Sequence, residues 1–174
     1  MEDLKYPIGK HVPRLSLTEK DREELIQHIA DLPVKLRTAV SGLTDHQLGL
    51  HYRPGGWTIR QVVHHIPDSH MNAYVRCKLA LTEEKPTIKP YDEKQWAELS
   101  DSTSAMIESS LRLVEGLHSR WTELFRSMKP VDFSRTMNHP ERGIITIDDL
   151  LQLYAWHSRH HVAHITSFRE RNHI

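Results

Sequence analysis

The stretch TIDDLLQLYAWHSRHHVAHITSFRER, residues 146–171, decides the fold. Asp148 and Asp149 stand in its first turn and cationic side chains in its last, the bias that a helix dipole favours at each end. Leu150, Tyr154, His157, His161, Ile165 and Phe168 recur at three- and four-residue spacing, so they share one face of a long helix. That face is otherwise apolar and must meet a core, which places His157 and His161 in the middle of a buried stripe. His160 and His164 fall on the flank, beside Leu153 and Trp156.

Three further segments repeat the pattern upstream. From about Leu17 to about Leu43, Leu25, Ile29, Leu32, Leu36, Val40 and Leu43 form a stripe behind a capping box in SLTE, with Pro33 as a point of bending. A second helix opens after RPGGW, where Gly55 and Gly56 turn the chain. Thr58 and Gln61 supply its capping box; it runs to about Leu81 and carries Pro67 inside. A third, from about Ser102 to about Met128, aligns Ile107, Leu111, Val114, Trp121, Phe125 and Met128 and stops before Pro130. GIITI is a lone strand signal without a partner. Four amphipathic helices in a 174-residue chain predict an all-α four-helix bundle forming one domain, residues 1–174.

The connection TEEKPTIKPYDEKQWAELS is far longer than an antiparallel turn needs. At about 3.3 Å per extended residue it can run the length of a helix, so a crossover is expected between the second and third helices. DEKQWAEL within it reads as a short extra helix.

Lys plus Arg and Asp plus Glu balance at 23 each, which gives no pull toward phosphate backbones and argues against nucleic acid. No apolar run is long enough to cross a membrane, and the amino terminus lacks the pattern of a secretion signal; both predict a cytoplasmic protein. The single cysteine, Cys77, rules out an internal disulfide and reads as a small residue of a helix face.

Histidine is the anomaly, at 14 residues. Two imidazoles four apart on a helix stack one above the other and can reach a single cation. On the second helix His65 borders the inward stripe, His64 faces away and His70 borders the other side, so His65 is the candidate third ligand. His118 replaces an apolar residue on the third stripe and is either a fourth inward imidazole or a hydrogen-bonded core residue. The four-residue spacing has two frames, 157/161 and 160/164; helical phase favours the first.

YPIG, YRPGGWTIRQVVHHIPDSHMNAYVR, KLALTEEKPTIKPYDEKQW and YAWHSRHHVAHIT together resemble the DinB/YfiT superfamily, and within it the YfiT branch. The likeness runs through nearly the whole chain, although VAHI stands where an Arg-Gly-Gln often follows the last histidines of the wider superfamily. The resemblance implies a bundle with a long crossover, a homodimer, and one divalent metal held by three histidines, which map onto His65, His157 and His161. Imidazole donors without a carboxylate suit zinc first and nickel second, and three ligands leave a position open for water or substrate. The implied function is a metal-dependent hydrolase that activates water on a small-molecule substrate. Two alternatives follow: a thiol S-transferase of bacillithiol type acting on a low-molecular-weight thiol, and a non-catalytic dimeric bundle clamped by its metal. No general base is assigned; Asp68 and Ser69 are candidates for orienting an imidazole. No Gly-x-Ser-x-Gly elbow or dinucleotide fingerprint is present, so no organic cofactor is indicated.

Overall fold

A computed structural model of the chain describes residues 2–174. Its four long helices are α1 (Glu19–Val40), α2 (Ile59–Thr82), α3 (Glu108–Ser127) and α4 (Ile147–Asn172). Thr58 and Gln61 cap α2 reciprocally, as the sequence predicts: the Gln61 amide donates to Thr58 Oγ1 at 3.1 Å and the Thr58 amide to Gln61 Oε1 at 2.9 Å. Thr146 and Asp149 form the same box on α4. The α1 cap is shifted from the expected SLTE pair to Thr18 and Asp21. Pro33 and Pro67 both lie within helices without ending them.

Two apolar layers define the helix directions. One joins Leu32, Leu36 and Val40 of α1 with Ile59 and Val62 of α2, Leu111 and Val114 of α3, and Ile165 and Phe168 of α4. The other joins Leu25 and Ile29 with Ala73 and Cys77, Trp121 and Phe125, and Ile147 and Leu151. Hence α1 and α4 run one way and α2 and α3 the other. Two parallel consecutive helices, α2 and α3, require the chain to travel the bundle's length between them, and residues 83–107 make the expected crossover. Each of α1 and α2 packs against α3 and α4, so the first two helices sit diagonally opposite one another.

Asp92 caps the short helix Glu93–Ala97 inside the crossover, accepting from the Lys94 and Gln95 amides. The third long helix starts later than its stripe suggests. Ser100–Thr103 forms a separate turn: the Thr103 and Ser104 backbone amides close it on Leu99 O and Ser100 O, each of which also accepts that residue's own hydroxyl, and at Ser104 (φ −130°, ψ −16°) the chain leaves helical geometry. The lone strand gains a partner. β1 (Thr136–His139) and β2 (Gly143–Thr146) form an antiparallel hairpin in the register Thr136 to Thr146. The crossover docks on β1 through Asn138, whose amide donates to Pro86 O at 2.9 Å. Bidentate Arg22–Asp148 bonds of 2.8 and 2.7 Å tie the start of α1 to the start of α4. Among the described residues no helix is long and apolar enough to cross a membrane.

Candidate metal centre

Between the two apolar layers lies a layer of histidines, since each helix changes from one cluster to the other at the same height. His65 and His70 come from α2, His118 from α3, and His157, His160, His161 and His164 from α4. A buried imidazole nitrogen with unmet bonds costs about 1–3 kcal/mol, and in this layer His160 Nδ1 is buried without a partner.

Three of them converge. His65 Nε2 lies 3.3 Å and His161 Nε2 3.1 Å from His157 Nε2, and one ligand atom from each of the three rings falls within 4.8 Å of the others. Nitrogens about 2.0–2.1 Å from a tetrahedral ion stand about 3.3 Å apart, so two of these separations are near those of a shared coordination shell. The structure therefore brings together the three histidines singled out from the sequence. The 160/164 pair does not converge with His65. His160 stacks on Trp156 with ring centres 4.2 Å apart, and His164 stacks on Tyr52 at 4.1 Å while its Nε2 stands 3.1 Å from the Lys5 carbonyl oxygen. A Cβ at Gly56 would stand 2.8 Å from Tyr52 Cε1, so the glycine of RPGGW gives Tyr52 room to close over His164.

Burial pushes the His65 pKa down to about 4, and burial with neighbouring histidines holds His157 and His161 well below the usual imidazole value. All three are neutral at pH 7, the state a metal ligand requires. They wall a cavity of about 780 Å3, with Trp57, Tyr52, Trp156 and Glu98 among its other lining residues. Trp57 packs over His65 at 4.6 Å. A second cavity of about 770 Å3 reaches His157 past Tyr154 and is lined by Arg76 and Arg142.

The remaining sequence candidates take other roles. His118 is not a fourth member of the cluster: its Nδ1 lies 2.7 Å from Ile29 O and its Nε2 2.9 Å from His70 Nδ1. His64, expected to face away, is buried, its Nδ1 2.7 Å from Ser110 Oγ, because the crossover and the start of α3 cover the face of α2 that would otherwise meet solvent. Ser69 Oγ donates to the Tyr154 hydroxyl at 3.4 Å rather than to an imidazole, and Asp68 is half-buried with its carboxyl pushed up to about 6 by burial. Cys77 lies buried in the apolar layer and its thiol is pushed up to about 12, which suits a packing residue and not a nucleophile.

Two residues escape the sequence reading. His70 is fully buried, its Nε2 2.9 Å from His157 Nδ1. A stripe-edge position gives little warning of this, because burial there comes from α3 and α4 closing on it from both sides. Glu98 reaches the cavity from the crossover, with the Gln61 side-chain amide donating to it at 3.3 Å; only the path of the connection reveals it.

Comparison with known proteins agrees with the geometry. The DinB superfamily profile matches residues 17–165. The chain is 51% identical over 170 residues to a Bacillus subtilis protein named "Putative metal-dependent hydrolase YfiT", covering 97% of this chain and 96% of that one. It is 52% identical over 171 residues to a Bacillus mycoides protein with the same description of activity, covering 98% of each. The solved structure of Bacillus subtilis YfiT, described as having "an unusual four-helix bundle topology", superposes with a TM-score of 0.96 at 50% identity over 98% of both chains. On sequence and fold, the chain belongs to the DinB superfamily.

Proposed function

We propose that the chain is a metal-dependent hydrolase whose divalent ion, zinc or nickel, is held by His65, His157 and His161. The observation that carries this is the convergence of three neutral Nε2 atoms on one point at the wall of a cavity. A bound ion would supply Lewis acidity, lowering the pKa of a water in its open position from 15.7 toward about 7. The protein supplies the rest. Trp57, Tyr52 and Trp156 offer aromatic walls to a small-molecule substrate, and Glu93 and Glu98, the latter bonded by Gln61, are the carboxylates of the lining that can accept a proton. His118 is already committed to Ile29 and His70, so it does not close a fourth protein ligand, which favours catalysis over a structural clamp.

The test is elemental analysis joined to a screen of ester, amide and thiol-conjugation substrates, with and without chelator. We expect about one zinc or nickel per chain after reconstitution, and hydrolysis that chelation abolishes and the metal restores. A chain that takes up no ion refutes the reading. Metal-dependent turnover confined to the thiol arm would replace it with the S-transferase, which shares this centre and differs in the nucleophile. The homodimer implied by the family resemblance belongs to the same proposal. Light scattering at micromolar concentration should report about twice the mass of one chain, and a monomer mass would remove the dimer.

A further inference from the structure

Each ring nitrogen of a neutral histidine is either a donor or an acceptor, so in a chain of bonded imidazoles one fixed end sets every tautomer that follows. The carbonyl of Ile29 is such an end, because it can only accept. His118 Nδ1, 2.7 Å away, must therefore carry its ring's proton, which leaves His118 Nε2 a lone pair. That lone pair faces His70 Nδ1 at 2.9 Å, so His70 is protonated there and bare at Nε2. His70 Nε2 in turn accepts from His157 Nδ1 at 2.9 Å. His157 is left with its lone pair on Nε2, the atom that meets His65 and His161.

A second chain obeys the same rule from a different root. The Lys5 carbonyl accepts from His164 Nε2 at 3.1 Å, so His164 Nδ1 is bare. It faces His161 Nδ1 at 3.4 Å, the longest link of either chain, and leaves His161 with its lone pair on Nε2. We infer that His118 with His70, and separately His164, are positioning residues that hold His157 and His161 in the tautomers whose Nε2 lone pairs face one shared point. The purpose of these chains rests on the metal-centre reading; their direction rests on the two carbonyls.

The parity has a chemical consequence. With both Nε2 atoms bare, the 3.1 Å contact between His157 and His161 has no proton to share and is not a hydrogen bond. Two lone pairs at that distance are reconciled by a cation bound to both. Nor do the chains conduct protons: each ends on an amide carbonyl, which has no basicity to receive one. They lock orientation and tautomer, as bonds to the outer nitrogen of a ligating histidine do in general.

The test reads tautomers directly in the metal-free, full-length, 15N-labelled protein, from two-bond ring correlations at pH 7.5. His118, His70, His157 and His161 should appear as Nδ1–H forms and His164 as the Nε2–H form. An Nε2–H ring at His157 or His161 overturns the inference and needs no variant to be seen. His118→Leu should release the His157 tautomer while leaving His161 unchanged, and His164→Leu should do the reverse. Each should weaken zinc binding about ten- to hundredfold by chelator competition. His118→Gln, whose amide oxygen can accept from His70 Nδ1–H, should recover most of the affinity. Leucine variants that bind zinc as tightly as the parent overturn the inference. Should His118→Leu fail to fold, the parent spectrum and His164→Leu still decide. Expected tautomers in a chain that takes up no zinc would support the two chains while refuting the hydrolase reading, so the two failures are distinct.

Discussion

His157→Ala and His161→Ala should each lower zinc or nickel affinity by on the order of a hundred- to a thousandfold. Zinc held by four ligands in small domains is worth about 10–16 kcal/mol, or about 3 kcal/mol per ligand, and about 1.4 kcal/mol is a factor of ten. The two substitutions each remove one of three converging nitrogens, and His65→Ala removes the third. His160→Ala should stay within about tenfold of the parent, although the residue is the immediate neighbour of His161. Its ring lies against Trp156 and is not one of the converging three, so its loss removes a wall and not a donor. His64→Ala separates binding from folding. It leaves Ser110 Oγ and the Ala105 carbonyl without their imidazole, at about 1–3 kcal/mol of stability, yet should spare the metal. Competition against a calibrated chelator reads the affinities and thermal melting the stability. His160→Ala proving as damaging to affinity as His157→Ala would show that the ligands follow the other frame.

Features encoded within one helix are legible in the sequence, and features made by closing helices on one another are not. The Thr58–Gln61 box, the four apolar stripes and the inward His-x-x-x-His spacing are properties of a single helix and its phase, and the structure has them where the residues put them. The crossover is legible as well, because residues 83–107 are too many for a turn. Phase errs where a second element covers a face that one helix alone would leave wet. His64 is buried by the crossover and α3, His70 by α3 and α4, and neither covering is written into α2. β1 is missed for a related reason. Thr136–His139 has a single strongly apolar residue, Met137, and its strand conformation comes from pairing with β2 and docking of Pro86 to Ile88. The late start of α3 follows from the break in helical geometry at Ser104, which periodicity does not register.

The same buried layer should make the metal-free protein unfold steeply in mild acid. Burial holds His65, His118 and His164 down to about 4 and His160 to about 3, and it holds His70, His157 and His161 well below 6.5. In the unfolded chain each returns to about 6.5. The sign follows from proton counts: as pH falls below 6.5 the unfolded chain takes up protons that the native chain refuses, so native stability is full above 6.5 and declines below it. Each such histidine contributes up to about 1.4 kcal/mol per pH unit, and even half of that over the seven gives about 5 kcal/mol per unit. A domain stable by about 5–15 kcal/mol loses that margin within about one to three pH units. With chelator present, circular dichroism should therefore show cooperative unfolding centred between about pH 5.5 and 3.5, with uptake of several protons. Zinc should shift the midpoint lower by binding only the native, deprotonated cluster. A metal-free chain that keeps its native spectrum at about pH 3, or one that unfolds with uptake of a single proton, would mean that the histidine layer is not held neutral by burial.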